Sequence, residues 1–290
     1  MTPGGDPGQG VGDVEVALHE DAEDLARTTA ARLISAVADV LGSRPAPAPV
    51  HVVLTGGRVG GRTLEAVAAA VGTEEDDPAD VAEDPTAALD WSRVHLWFGD
   101  ERLVEASSDE RNDAQARAAL GRAPLLAAVH WHPMPSADDG LAPVDAAARY
   151  AAELAEHAED LGDPEVDGDG RRSPGVPAFD VLMLGVGPDG HVASLFPGRP
   201  TLGTPEVAVV VEDDAPKPPA LRLSLGLDAI RSAVEVWLVV AGDDKARAVA
   251  RGLDDTEDVQ RTPAVAARGR RATRWLVDRG AASRLAGDGG

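Results

Sequence analysis

Apolar positions along the chain alternate between two periods, and the changes of period divide it into repeated strand–turn–helix units. Val14 to Leu18 alternates apolar and polar residues, the pattern of a short strand. From Asp21 to Leu41 the spacing becomes helical, with Leu25, Ala26, Leu33, Ile34, Val37 and Leu41 on one stripe. Gly42 stands where a helix C-cap glycine would, and Pro45, Pro47 and Pro49 forbid continuation. Val50 to Leu54 is an apolar, β-branched run expected of a strand buried on both faces. Gly56 and Gly57 follow it, and Thr63 to Val71 reads as a helix.

The same unit recurs three times. Val94 to Phe98 is a strand that ends in Gly99-Asp100-Glu101-Arg102, with helical spacing near Ala114 to Leu120. Phe179 to Leu184 ends in a glycine-rich turn that reaches His191. Val234 to Val240 ends in Ala241-Gly242-Asp243-Asp244-Lys245 and leads into a helix through Ala250. Strands alternating with helices predict an α/β fold: one Rossmann-like domain with a largely parallel sheet flanked by helices. Each glycine turn falls at the C-terminal end of a strand, where open α/β sheets bind ligands. The expected domain runs over 13–285, between flexible tails at 1–12 and 286–290. Acidic Gly/Pro-containing loops at 74–84 and 163–177 read as surface insertions.

Composition narrows the function. A chain of 290 residues with 43% hydrophobic content can build a sizeable core. Lys and Arg number 27 against 50 Asp and Glu, a formal net charge of −23 that repels nucleic-acid backbones. There is no cysteine, which removes disulfides, thiolate nucleophiles and cysteine-ligated metals. No apolar run approaches the roughly 20 residues of a membrane span, and the start lacks an apolar signal core. A cytoplasmic protein without nucleic-acid or membrane partners is expected.

Gly185, Gly187 and Gly190 have the spacing of a dinucleotide fingerprint, but its context fails. A dinucleotide site needs a long helix after the third glycine, and Pro197, Gly198 and Pro200 interrupt that segment. What stands there is His191 at a strand mouth, among free backbone N–H groups. Histidine can take a proton from water and return it to a leaving group; the blander role is a turn residue that caps the backbone. Asp100-Glu101-Arg102 is either a second functional strand end or a solvated charge run. Lys245 is sharper, because Lys217 is the only other lysine and Lys245 lies at a strand-to-helix boundary suited to a phosphate. Gly56-Gly57-Arg58 offers N–H groups and a cation, a second phosphate cradle without the Gly-Lys-Ser/Thr ending of a P-loop. His130 and His132 share a face if extended, but no further metal ligands are apparent beside them. His51 and His95 read as packed strand residues. Asp167-Gly168-Asp169-Gly170 lacks the closing glutamate of a calcium loop, and no Gly-x-Ser-x-Gly elbow occurs.

Together these segments resemble the 6-phosphogluconolactonase family. Phe179-Asp180 through Gly187-Pro188-Asp189-Gly190-His191-Val192-Ala193-Ser194-Leu195-Phe196-Pro197-Gly198 is similar to its signature. Gly99-Asp100-Glu101-Arg102 with Arg111-Asn112 resembles its second motif, Leu54-Thr55-Gly56-Gly57 its first turn, and Gly242 with Lys245-Ala246 its last. Arg222 after Pro218-Pro219, and Trp275 with Asp278, also fit. Many relatives continue the first turn as Ser-Thr-Pro, whereas this chain has Arg58-Val59-Gly60, so Gly56 and Gly57 carry the cradle more firmly than Arg58. The same-fold glucosamine-6-phosphate deaminases continue the histidine turn toward Phe-Asn-Glu, unlike Ala193-Ser194-Leu195-Phe196 here. A non-catalytic sugar-phosphate sensor would carry a DNA-binding module, for which Met1 to Val14 is too short.

The resemblance implies hydrolysis of 6-phospho-D-glucono-1,5-lactone in the oxidative pentose phosphate pathway, with neither metal nor organic cofactor. It makes His191 the general base, with Asp189 holding the turn or the imidazole. Backbone N–H groups near Gly187 would face the oxyanion, and Arg102 and Lys245 would grip the phosphate. Asp100 would order the loop or a sugar hydroxyl, and Gly56, Gly57, Arg58, Asn112 and Arg222 would complete the substrate site.

Overall fold

The computed structural model describes residues 12–72, 85–158, 175–205 and 207–285. Most of the expected tails and acidic loops therefore lie outside the described residues. Seven strands form one sheet, all of whose neighbouring pairs run parallel. In chain order they are β1 (Asp13–His19), β2 (Val50–Leu54), β3 (Val94–Phe98), β5 (His130–Trp131), β6 (Val181–Leu184), β9 (Glu235–Val240) and β10 (Ala272–Asp278). Between β3 and β5 comes β4 (Asp100–Arg102), and between β6 and β9 come β7 (Val209–Glu212) and β8 (Arg222–Leu225).

The spatial order is β1-β10-β9-β6-β2-β3-β5. From β2 the chain proceeds through β3 to the β5 edge, then returns to β6 on the other side of β2. That reversal opens a crevice at the C-terminal ends of β2 and β6, where no crossover covers the sheet. The central strands earn their place by burial: every residue of β2, β6 and β9 is buried, His51 and Glu235 included, among mostly apolar neighbours.

Helices α1 (Ala22–Ser43), α2 (Gly57–Ala70), α3 (Asn112–Leu120) and α4 (Pro143–Glu156) are the longer ones, followed by the short α5 (Leu227–Arg231) and α6 (Ala246–Gly252). Asp21 caps α1, its carboxylate accepting from the N–H groups of Glu23 and Asp24 at 2.9 Å each. The helix passes through Gly42 and ends at Ser43, so Gly42 is not its cap. Helix α2 begins at Gly57, six residues before the expected start, and runs through the Gly60-Gly61 pair. There Gly60 is required by contact: a Cβ would lie 2.5 Å from the Thr55 carbonyl oxygen.

Asp100-Glu101-Arg102 is neither a loose charge run nor a turn. It is β4, the edge of a small antiparallel sheet of order β4-β8-β7, with Arg102 opposite Arg222. This second sheet was not foreseen from the sequence. It brings Arg222 to the C-terminal edge of β3.

At the opposite end of the large sheet, β2, β3 and β5 place His51, His95 and His130 in register. Burial, reinforced by the neighbouring histidines, pushes the His51 imidazole down to about 3 and that of His95 down to about 4. Both rings are therefore excluded from protonation in the fold but not in the unfolded chain. The unfolded chain binds more protons below pH ~6.5, so stability falls on acidification. The loss approaches about 1.4 kcal/mol per pH unit for each excluded proton. NMR titration should find both imidazoles neutral at pH 5 while urea unfolding shows the loss; rings that protonate near pH 6 would contradict this origin of the acid sensitivity.

Candidate active site

The crevice holds a cleft of about 380 Å³ joined to a lobe of about 290 Å³ through shared walls at Gly56, Gly57, Gly185, Val186 and Lys245. Each residue expected in the site lines one or both. Gly56, Gly57 and Lys245 line both, Arg58 only the lobe, and Asp100, Arg102, Asn112, Gly187, Asp189, His191 and Arg222 the main cleft.

His191 is placed by a tight turn after β6. The Gly187 N–H donates to the His191 carbonyl at 2.9 Å, and Gly190 adopts φ +90°, where a side chain would be strained. The Asp189 carboxylate accepts from the His191 backbone N–H at 3.2 Å and lies 2.6 Å from the ring Nδ1. Burial works against the charge of Asp189, but the His191 ring and backbone bonds outweigh it and hold the carboxyl below its usual range. An ionised carboxylate only accepts, so Nδ1 carries the proton and Nε2 keeps its lone pair. The ring packs against Phe196, centroids 4.4 Å apart, with about a quarter of the side chain left open. Asp189 thus holds both the turn and the imidazole, the two roles left open by the sequence.

The second wall is organised by acids. Asp100 accepts from the Ser194 hydroxyl at 2.7 Å, tying the end of β3 to the histidine turn. Asn112 donates to the Asp100 carbonyl at 2.7 Å and fills the space beside Gly56, where a Cβ would meet its Oδ1 at 2.0 Å. Glu101, fully buried, accepts from the N–H groups of Arg102, Asn112 and Asp113 at the start of α3, with Arg111 at 3.7 Å. Burial pushes its carboxyl up to about 7 despite those four partners.

The cations differ in availability. Arg102 gives Nη1 to the Glu110 carbonyl and the Asn112 Oδ1, both at 2.7 Å, while its Nε is buried without a partner among the described residues. Arg222 is fixed by the carbonyls of Pro219 and Lys217 and lies over the Phe196 ring. These neutral acceptors orient the guanidinium without cancelling its charge. Lys245 touches Asp244 only at 3.8 Å, and burial lowers its ammonium below the usual lysine range. Lys217 also lines the cleft and was passed over in the sequence, although the scarcity of lysine was the signal that could have found it. Arg62 and Phe196 were likewise missed as wall residues. The body of the protein is strongly acidic, yet its cleft gathers Arg58, Arg62, Arg102, Lys217, Arg222 and Lys245. That inversion favours an anionic ligand.

A family profile described as glucosamine-6-phosphate isomerases/6-phosphogluconolactonase matches residues 20–275. The 6-phosphogluconolactonase of Streptomyces coelicolor is 44% identical over 274 residues, covering 93% of this chain and 94% of that one. The chain belongs to the 6-phosphogluconolactonase family. The Mycobacterium tuberculosis 6-phosphogluconolactonase is 36% identical over 93% of this chain and 98% of its own. The solved 6-phosphogluconolactonase of Trypanosoma brucei shares the fold with a TM-score of 0.72, at 23% identity, over 96% of this chain and all of that one. A monomeric glucosamine-6-phosphate deaminase also shares the fold, with a TM-score of 0.62 at 17% identity, covering 93% of this chain and 99% of its own. No helix among the described residues is long and apolar enough to cross a membrane.

The turn geometry makes a direct prediction. A Cβ at Gly187 would lie 2.1 Å from His191 Nδ1 and 2.5 Å from Asp189 Oδ1. Gly187→Ala should swing the partly exposed imidazole off Asp189 and lower kcat at least about tenfold, about 1.4 kcal/mol of barrier, with the fold intact. A folded Gly187→Ala enzyme with wild-type kcat would show that this contact is dispensable.

Proposed function

We propose that the chain hydrolyses 6-phospho-D-glucono-1,5-lactone to 6-phosphogluconate, with His191 as general base and no metal in the chemistry. The observation that carries this reading is a carboxylate-held imidazole, its Nε2 lone pair free, in the same cleft as a group of cations within an acidic protein. The cations suit the phosphate and the imidazole suits the water.

Water is added to the lactone carbonyl carbon as His191 Nε2 takes one of its protons. The imidazolium that forms is stabilised by Asp189 through Nδ1. The carbonyl oxygen becomes the oxyanion; the N–H groups of Gly185 and Gly187 are committed to Thr55 Oγ1 and the His191 carbonyl, both at 2.9 Å, so its negative charge falls to the cations of the cleft. When the ring carbon–oxygen bond breaks, the proton on Nε2 passes to the departing ring oxygen. The free acid then ionises. Lys245 and Lys217 are the mobile cations suited to the phosphate, with Arg222 fixed beside them. Arg102, committed through Nη1, keeps only part of its guanidinium for a ligand, so its role leans toward shaping the wall with Asn112 and Asp100.

The test is acid release from fresh lactone, followed against the spontaneous background. Acceleration by the purified chain is expected; none, with 6-phosphogluconate still bound, would make the protein a sensor of sugar phosphates. His191→Asn keeps polarity and approximate size but cannot take the proton. It should lower kcat by about 10²–10⁴-fold and leave product affinity nearly unchanged. A folded His191→Asn protein with near wild-type kcat would remove the general base. Chelators should leave the rate unaltered.

A further inference from the structure

At the end of the sheet away from the cleft, the fold brings together histidines that the sequence keeps apart. His95 on β3, His132 just after β5 and His157 at the C-terminal cap of α4 each offer a ligand atom, all within 4.8 Å of one another. The sequence drew attention to His130 and His132 and saw no further ligands; His95 and His157 are the ones that tertiary structure supplies. His130 stacks on the outer side of the group, its ring 4.6 Å from that of His95.

We propose that His95, His132 and His157 form a binding site for a divalent transition metal of the zinc class, separate from the cleft. The tautomers favour it. His132 Nδ1 lies 2.7 Å from Glu153 Oε1, so that nitrogen carries the proton and Nε2 keeps the lone pair. A carboxylate behind a ligating imidazole is the usual arrangement that orients it and raises its basicity. His157 Nδ1 lies 3.0 Å from the Glu153 carbonyl oxygen and must donate to it, which frees its Nε2 in the same way. One residue, Glu153, thus orients two imidazoles. His95 Nδ1 stands 2.8 Å from His132 Nε2, so without a metal these two nitrogens share a single proton. An ion would replace that proton, which moves to the far nitrogen of His95 so that the ring binds as a neutral imidazole.

The distances suit the exchange. Zinc–nitrogen bonds of 2.0–2.1 Å in a tetrahedral site put ligand nitrogens about 3.3–3.4 Å apart, between the 2.8 Å contact and the 4.8 Å limit of the group. Three neutral imidazoles without thiolates select zinc, cobalt, nickel or copper over magnesium or calcium. The neutrality that burial enforces on His95 suits a ligand that must bind unprotonated. A water would complete the coordination. His51, its ring 5.1 Å from that of His95, has Nε2 buried without a partner among the described residues, a polar atom that an ordered water beside the ion would satisfy. His95 and His157 are only partly buried, which leaves a route in. The ion would cross-link β3, the β5 segment and α4, a role in stability and not in hydrolysis.

The test uses the full-length, tag-free chain, stripped with chelator and titrated with Zn²⁺ by calorimetry. A Co²⁺ titration followed by visible absorption reports nitrogen ligation. One ion per chain is expected, with a higher Tm in its presence. His157→Gln changes a partly buried helix cap and should weaken binding at least tenfold, and Glu153→Gln should weaken it roughly 10–100-fold by taking the carboxylate from behind the His132 imidazole, the bond from His157 to the Glu153 backbone carbonyl being kept. His191→Asn should bind as the wild type does. The proposal is overturned if no stoichiometric ion binds, if His157→Gln and Glu153→Gln both bind normally, or if His191→Asn abolishes binding and so places the ion in the cleft.

Discussion

Seven parallel strands point their C-terminal ends the same way, and one reversal of chain direction, between β2 and β6, decides where those ends remain uncovered. Everything functional follows from that constraint. The turn after β2 delivers Gly56 and Gly57, the turn after β6 delivers Gly187, Asp189 and His191, and the end of β3 delivers Asp100. Glycines recur there because backbones and side chains from different strands meet within contact distance. Asn112 against Gly56 and the His191 ring against Gly187 leave no room for a Cβ. The two walls are then joined at Ser194, whose hydroxyl donates to Asp100 at 2.7 Å and whose N–H donates to the Ser224 hydroxyl at 3.1 Å.

Charge is organised on two scales. Over the whole chain, acids outnumber bases and give a net charge of −23, a field that repels anions at long range. Within the cleft the balance reverses, and two of its cations, Arg102 and Arg222, are held by neutral acceptors, which aim them without neutralising them. Salt screens the long-range field more than it screens the short contacts of a bound phosphate. An anionic substrate is thus captured by local geometry and not by steering. The imidazole is paired with Asp189 and not with these cations, so in the proposed mechanism binding and proton transfer fall to different side chains.

The large sheet and its glycine turns were legible in the sequence because both leave local marks: continuous apolar runs for strands buried on two faces, and glycine directly after them. Other features have no local mark. Asp100–Arg102 is a strand only because β8 lies beside it, and three charged residues carry no strand periodicity. Gly57-Arg58-Val59-Gly60-Gly61 reads as a loop by propensity, but in the fold it is the first turn and a half of α2, a helix packed against α1 and α3. The residues of the site were legible as motifs, but not the difference between Arg102, largely committed to protein acceptors, and Lys245, largely free. The histidine group at the far end was invisible for the same reason: His95, His132 and His157 meet only through sheet register and the docking of α4.

The central claim is that phosphate capture and proton transfer are separate functions of one cleft. The most direct measurement is the ratio of kcat/KM for the phosphorylated lactone to that for unphosphorylated gluconolactone, in the wild type and in Lys245→Ala. Loss of a charge-assisted contact worth about 1.5–3 kcal/mol should reduce that ratio by roughly 10- to 150-fold, through KM, while the unphosphorylated substrate is hydrolysed as before. An unchanged ratio in a folded Lys245→Ala enzyme would contradict the assignment of this cation to the phosphate and, with it, the division of labour in the cleft.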